Sequence, residues 1–187
     1  MSNQLSSMQR SDVAHFLHPY TNLKNHQTTG PMVITKGDGI YVYDVQGNRY
    51  IEGLSGLWCT ALGFSEKRLI SAATEAMEKL PFFYSFFGRG HDVGIELAEK
   101  LIALAPVPMS KAFFTSSGSE ANDTAVKLIW YYNNSRGLPK KKKIISRMKA
   151  YHGVTIASAS LCGLPANHDD FDLPLSRFLH TDCPHAY

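Results

Sequence analysis

The amino-acid sequence predicts an α/β fold with a mainly parallel sheet, and three observations lead to that prediction. From residue 65 onward, short β-branched and aromatic runs alternate with segments of helical periodicity. That alternation follows the rhythm of βαβ units, whose strands lie parallel in one sheet. Hydrophobic residues make up 44% of the 187 residues, which is enough for a packed core and excludes a disordered chain.

The composition also excludes several classes of partner and suggests a location. Nineteen Lys and Arg against sixteen Asp and Glu give a net charge of only +3, well below the concentrated positive field of nucleic-acid-binding proteins. The three cysteines are widely spaced and form no CxxC pattern, so neither a disulfide framework nor a zinc ribbon is indicated. The first residues lack a secretory pattern, and no apolar run reaches the ~18 residues of a membrane span. We therefore expect a cytoplasmic protein without nucleic-acid or membrane partners.

The first part of the chain, residues 1–60, is predicted to be an arm followed by a small β-meander. Apolar residues around Val13 allow one or two helical turns. Three strand-like runs then follow, separated by GDG and QGN turns: Met32–Thr35, Ile40–Asp44 and Arg49–Ile51. Residues 61–187 are predicted to be the first part of a larger domain.

Within residues 61–187 the period of the apolar residues predicts each element in turn. A helix begins with Ser65 as its cap and ends before Pro81, and a second covers Val93–Ala105. The predictions that follow are a strand at Lys111–Thr115, a helix at Glu120–Asn133, a strand at Lys143–Arg147 and a helix after Gly153. Beyond Leu161 the sequence shows no clear pattern.

The junction between the predicted strand and helix near residue 117 is the most informative stretch. Ser117, Gly118 and Ser119 lead directly into a helix, where free backbone N–H groups and the positive end of the helix dipole suit a phosphate. A plain capping box, with Ser117 as the cap and Glu120 three residues later, explains the same residues. No GxxxxGK[ST] or GxGxxG motif is present, so a phosphate bound here would belong to a small cofactor.

Three separated motifs in this sequence resemble those of the class III aminotransferases. They are LWCTALGF at residues 57–64, FFTSSGSEANDTAVKL at 113–128 and AYHGVTIASASL at 150–161. These aminotransferases are pyridoxal-phosphate enzymes of fold type I, and the sequence is most similar to omega-aminotransferases of the β-alanine:pyruvate type. The resemblance implies a β-meander segment followed by the first part of a mainly parallel sheet with helices on both faces. It also implies pyridoxal 5'-phosphate as the cofactor.

The resemblance assigns cofactor-binding roles to five residues. Ser117, Gly118 and Ser119 match the turn that holds the cofactor phosphate, while Ser116 departs from the Asn common in close relatives. Tyr151 matches the aromatic residue that stacks on the pyridine ring, and His152 follows it in the same YHG motif.

The resemblance further places three aromatic residues beside the substrate. Trp58 matches the pocket tryptophan, and Tyr20 and Phe86 fall at pocket-lining positions. In the family the segment PFFYSFFG, at residues 81–88, approaches the neighbouring subunit's active site, which implies a homodimer or tetramer. The alternative is a loop packed into its own core.

The two groups that perform the family's chemistry are not identifiable in this sequence. Transamination needs a lysine that forms a Schiff base and a carboxylate at the pyridinium nitrogen. Lys111, Lys127 and Lys149 do not match the family's Schiff-base motif, so no catalytic residue is assigned. We expect an N-terminal part of a transaminase that is inactive by itself and that aggregates or remains partly unfolded in isolation.

The expected reaction of the whole protein moves an amino group from an amine or omega-amino acid to a keto acid such as pyruvate. Two alternatives remain: another pyridoxal-phosphate reaction on the same fold type, or a non-catalytic scaffold or regulatory fragment. Metal binding is not predicted. Pairs such as His15 with His18, or His180 and His185 around Cys183, have spacings that are irregular for zinc.

Overall fold

The computed structural model describes residues 5–185 and divides the chain into two compact units between Gly90 and His91. The predicted domain boundary between residues 60 and 61 stays a prediction. No described helix combines the length and the hydropathy that crossing a bilayer requires.

The first unit contains short helices, a small sheet and one longer helix. Its elements are α1 (Ser7–His15), α2 (Leu23–Thr29), β1 (Ile34–Asp38), β2 (Tyr41–Asp44), β3 (Arg49–Ile51), α3 (Ser55–Trp58), α4 (Lys67–Lys79) and a 3-10 turn (Phe86–Gly88). The strands pair antiparallel in the order β1-β2-β3. The predicted meander is therefore confirmed, whereas α2 was not predicted.

A single buried carboxylate organises the turn between β2 and β3. Asp44 accepts hydrogen bonds from the amides of Gln46 and Asn48 at 2.9 Å, from the Asn48 side chain at 2.9 Å and from the Tyr50 hydroxyl at 2.8 Å. The Asn48 side-chain bond is the main reason that the pKa of Asp44 lies below its ordinary value of 3.8, with the Tyr50 bond and the two amides acting in the same direction. The hydrogen bond to Asp44 is in turn the main reason that the pKa of Tyr50 lies above its ordinary value.

The long helix α4 confirms the prediction for residues 65–80 except at its first residue. Glu66, not Ser65, is the cap, and its carboxylate accepts from the Arg68 amide at 3.1 Å. Ser65 has a left-handed φ of 62°, which differs from the extended conformation of a helix cap. Its hydroxyl instead donates to the Gly37 carbonyl at 2.8 Å, an interaction that the helical period does not reveal.

The second unit contains a parallel βαβ arrangement. Its elements are α5 (Asp92–Leu104), α6 (Gly118–Ser135), β4 (Ile144–Arg147), α7 (Ile156–Leu161), a 3-10 turn (Pro165–Asn167) and β5 (Phe178–Thr181). Strands β4 and β5 pair in parallel from Ile144 opposite Phe178 to Arg147 opposite Thr181, and α7 lies between them in the chain. The parallel pairing is confirmed, but β5 was missed.

The predicted strand at Lys111–Thr115 is wrong, because these residues form no strand. A strand requires a neighbour for its hydrogen-bond ladder. The described parallel sheet contains only β4 and β5, so the segment has no ladder partner among the described residues. Phe113 and Phe114 are exposed, and the apolar run that suggested a buried strand is not buried here.

The apolar core of the second unit lies where α6 and α7 meet the parallel strands. Val126, Leu161 and Phe178 are buried together, and Trp130 and Ile144 pack against them. This core holds α6 by its third and fourth turns, and the N-terminal end of α6 extends from it.

Candidate functional site

The N-terminal end of α6 carries the first three residues of the candidate site. Ser117 has extended backbone angles and caps the helix, with its hydroxyl accepting from the Glu120 amide at 3.1 Å. The Glu120 carboxylate accepts from the amide of Ser116 at 2.8 Å, one residue before the cap, so the reciprocal bond of a capping box is displaced. The amides of Gly118 and Ser119 belong to the first turn, where N–H groups have no acceptor within the helix.

The space beside this turn is open enough for an anion. A Cβ atom built on Gly118 would have no heavy atom within 4 Å, and Ser117 is exposed while Ser119 is half-buried. Helix α6 has 18 residues, so the aligned peptide dipoles add positive charge at this end. The turn therefore offers donors, positive potential and room, which is the combination that binds phosphate at a helix N-terminus.

A second segment of the predicted site, residues 151–155, lies directly against this turn. The amide of Val154 donates to the Ser119 hydroxyl at 3.0 Å, and the Asn122 side chain donates to the His152 carbonyl at 2.7 Å. Gly153 has φ 131°, and a Cβ there would lie 2.5 Å from the Ser158 hydroxyl and closer still to that of Ser119. The structure thus brings the predicted phosphate turn and the YHG motif together, and only glycine fits between them.

Asp123 joins the two segments by hydrogen bonds, and the sequence analysis did not identify this residue. Its Oδ1 accepts from the Thr155 hydroxyl at 2.7 Å and from the amide of Ser158, a fully buried residue, at 3.0 Å. Positions 119, 122 and 123 are three and four residues apart, so they share one face of α6. That spacing of three polar side chains is the signal that would have revealed Asp123.

Buried Cys162 forms hydrogen bonds with the backbone of the same loop. Its sulfur accepts from the His152 amide at 3.1 Å and donates to the Gly153 carbonyl, with a sulfur to oxygen distance of 3.3 Å. Tyr151, next to this anchored backbone, leaves 58% of its surface exposed. A flat aromatic face beside a phosphate turn suits a planar phosphorylated ring.

The three predicted substrate residues lie in the first unit, each in a different element and each largely exposed. Tyr20 is 75% exposed, Trp58 84% and Phe86 71%. Tyr20 and Trp58 have φ values of 50° and 69°, and Phe87, next to Phe86, has 58°. Positive φ is uncommon for such bulky residues and costs free energy, and strained positions of this kind concentrate at functional sites.

The turn that carries Trp58 is left-handed throughout. Residues 55–58 have φ values between 52° and 69°, and each non-glycine residue in this conformation costs about 1–2 kcal/mol. The Glu52 carboxylate holds the turn by accepting from the Leu54 amide at 3.1 Å and from the Gly56 amide at 2.6 Å. Glu52, which sequence reasoning also missed, therefore fixes where Trp58 is presented.

Comparison with known proteins connects this geometry to a family. A family model described as "Aminotransferase class-III" matches residues 22–186. Gamma aminobutyrate transaminase 1, mitochondrial, of Solanum lycopersicum is 55% identical over 172 residues, which is 91% of this chain and 33% of that protein. The corresponding transaminase of Oryza sativa subsp. japonica is 54% identical with the same coverage. The chain therefore spans about a third of the length of these curated relatives.

Solved structures show the same likeness. The omega transaminase from Pseudomonas jessenii, determined in complex with PMP, superposes with a TM-score of 0.94 at 60% identity, over 96% of this chain and 40% of that one. A thermostable omega transaminase with a tryptophan-to-glycine substitution, engineered for asymmetric synthesis of enantiopure bulky amines, has the same TM-score, identity and coverage. At this identity the likeness extends to sequence as well as to fold.

Proposed function

Since the chain belongs to the class III aminotransferases, which use pyridoxal phosphate, we propose that the protein transfers an amino group from an amine or omega-amino acid to a keto acid such as pyruvate. The observation that carries the proposal is the bond between the Val154 amide and the Ser119 hydroxyl, which joins the phosphate turn to the YHG loop. Omega transaminases and gamma-aminobutyrate transaminases are both among the relatives. A donor with an omega-amino group is consistent with both groups of relatives.

The residues of the second unit fit the cofactor's phosphate and ring. We propose that the Gly118 and Ser119 amides bind phosphate oxygens, with Ser117 beside them. The Ser119 hydroxyl accepts from Val154 and can still donate its own proton to the phosphate. Tyr151 would stack on the ring, and His152 would be held beside it through its backbone. When bound, pyridoxal phosphate supplies an electron sink for the carbon that loses the amino group.

The exposed aromatic residues of the first unit are proposed as substrate-recognising groups. A tryptophan-to-glycine variant of a related omega transaminase is described as engineered for asymmetric synthesis of enantiopure bulky amines. We propose that Trp58 limits the size of the amine in this protein, together with Tyr20 and Phe86. Aromatic walls favour an apolar or aromatic group on the donor.

The proposal also covers the Schiff-base lysine, the oligomeric state and the cellular location. No lysine of this chain is assigned to the Schiff base, and the chain spans 40% of the solved omega transaminase. We propose a homodimer or tetramer, because active sites of this fold type lie between subunits. A cytoplasmic location stays a prediction, and the plant relatives named above are described as mitochondrial.

Product formation by the whole protein tests the activity. Purified protein saturated with pyridoxal phosphate is incubated with pyruvate and a series of amines, including 4-aminobutyrate, and alanine is quantified. We expect alanine to form, with Trp58→Gly shifting preference toward bulkier amines by roughly tenfold or more. Decarboxylated or racemised donor without alanine would contradict the proposal.

A further inference from the structure

We propose that Asp12, His18 and His26 form a binding site for a divalent transition-metal ion such as Zn²⁺. Among residues 5–185 these three are the one group of His, Cys, Asp or Glu side chains whose ligand atoms converge closely, with one atom from each within 4.8 Å of the others. Two imidazoles and one carboxylate are a ligand set that zinc and related ions accept. The site is independent of the amino-transfer proposal.

The geometry of the three side chains is close to that of a coordination shell. The Nε2 atoms of His18 and His26 each lie 2.9 Å from the same oxygen, Oδ1 of Asp12. Bonds of about 2.0–2.2 Å to a tetrahedral ion would place the ligand atoms about 3.3 Å apart. An ion between them requires each imidazole to move away from Oδ1 by a few tenths of an ångström, and the two histidine nitrogens already lie within 4.8 Å of each other.

The three side chains are partly buried. The side chains of His26, Asp12 and His18 are 10%, 20% and 24% exposed. Phe16 packs edge-on against the His18 ring, with centroids 4.5 Å apart, and the two imidazole rings are 4.8 Å apart. Partial burial strengthens the attraction between the carboxylate and a cation, while the remaining exposure admits water as a further ligand.

The three ligands come from three successive pieces of the arm. Asp12 lies on α1, His26 lies on α2, and His18 lies in the connection that also contains Tyr20. Without an ion, two histidines donating to one carboxylate still join these pieces. With an ion, the connection is closed by coordination bonds, so occupancy fixes the segment that carries Tyr20.

Zinc titration tests the site directly. The whole protein is stripped with a chelator and titrated with Zn²⁺ against a chromophoric competitor, and the variants His18→Gln, His26→Gln and Asp12→Asn are compared with His15→Gln. His15 is an exposed histidine of the same helix whose Nδ1 contacts the Ser11 carbonyl. We expect one Zn²⁺ per chain, at least tenfold weaker binding in the three cluster variants, and unchanged binding in His15→Gln.

A second measurement uses the unsubstituted whole protein, so it does not depend on how the variants fold. Imidazole resonances are recorded during Zn²⁺ addition. We expect the signals of His18 and His26 to shift together and saturate at one equivalent, while those of His15 and His168 stay in place. Absence of Zn²⁺ binding, equal binding in wild type and the cluster variants, or shifts confined to other histidines would overturn the proposal.

Discussion

One aspartate organises the candidate phosphate site and another organises the β-meander, but they act over very different distances along the chain. Asp123 joins α6 to Thr155 and Ser158, which are 32 and 35 residues away. The Asp44 carboxylate accepts its hydrogen bonds from residues two to six positions away. The meander turn is therefore a local structure, whereas the phosphate site exists only when two distant segments have docked.

This difference determines which substitutions should affect phosphate binding. A change inside the docked pair of segments should unfold part of the second unit and remove phosphate binding together. A change in the meander should affect its own strands and leave phosphate binding intact.

The largest effect is expected from Gly163→Ala. A Cβ on Gly163 would lie 2.7 Å from the Lys149 amide and closer still to the backbone of Arg147 and Met148, so the end of β4 must shift. Such overpacking against backbone should lower the free energy of unfolding by about 3 kcal/mol. Gly53→Ala is the control, because a Cβ there meets nothing within 4 Å. Denaturant unfolding of the whole protein checks this, and equal midpoints for the two variants would contradict it.

The next effect comes from Asp123→Ala, which leaves the buried Ser158 amide without its acceptor. Loss of hydrogen bonds to a charged partner should cost about 2 kcal/mol and weaken cofactor binding as well. Asp123→Asn keeps a carbonyl acceptor and should recover part of both losses. Asp170→Ala changes an exposed aspartate of the same unit and is the matched control. If stability falls without any change in cofactor affinity, the docked segments do not form the phosphate site.

A smaller effect is expected from Ser117→Ala, which removes the helix cap. The Glu120 amide then loses its acceptor, and the cost should be about 1 kcal/mol, measured by thermal unfolding. Ser117→Asn should restore most of it, since Asn caps equally well. The neighbouring Ser116→Ala should have little effect. A loss as large as that of Asp123→Ala would contradict the local character of this cap.

The smallest effect is a change in acid sensitivity caused by Asp44. Its pKa is lower in the folded state than the ordinary 3.8, so the unfolded chain binds more protons over this range. The stabilisation is therefore present above about pH 4 and is lost as the pH falls through the folded pKa. The fall in melting temperature between about pH 5 and pH 2 should be smaller in Asp44→Asn than in wild type. Asp38→Asn, in β1 of the same sheet, should behave like wild type.

The elements that sequence analysis predicted correctly are those whose signals are local. The meander follows from short strands and glycine turns, and α5 follows from one apolar stripe closed by prolines. Strand β5 was missed because its pairing with β4 joins residues 34 positions apart, for example Ile144 with Phe178. The strand predicted at 111–115 failed for the same reason, since an apolar run does not reveal whether a ladder partner exists.

The candidate site shows the same limit. Ser117–Ser119 could be identified from helix-terminus chemistry, but the role of Tyr151 came only from the resemblance to a family. The bonds that join the two segments, made by Asn122, Asp123 and Ser119, depend on side-chain positions set by docking. Periodicity places those residues on one face of α6 without showing what the face contacts.

Amide chemical shifts test the central claim that the turn at Ser117–Ser119 binds the cofactor's phosphate. Pyridoxamine 5'-phosphate and pyridoxamine are added separately to isotope-labelled protein, because neither carries an aldehyde that reacts with surface lysines. The account predicts that the Gly118, Ser119 and Val154 amides shift with the phosphorylated compound and stay in place with the other. Equal shifts with both compounds, or phosphate-dependent shifts confined to other residues, would contradict it.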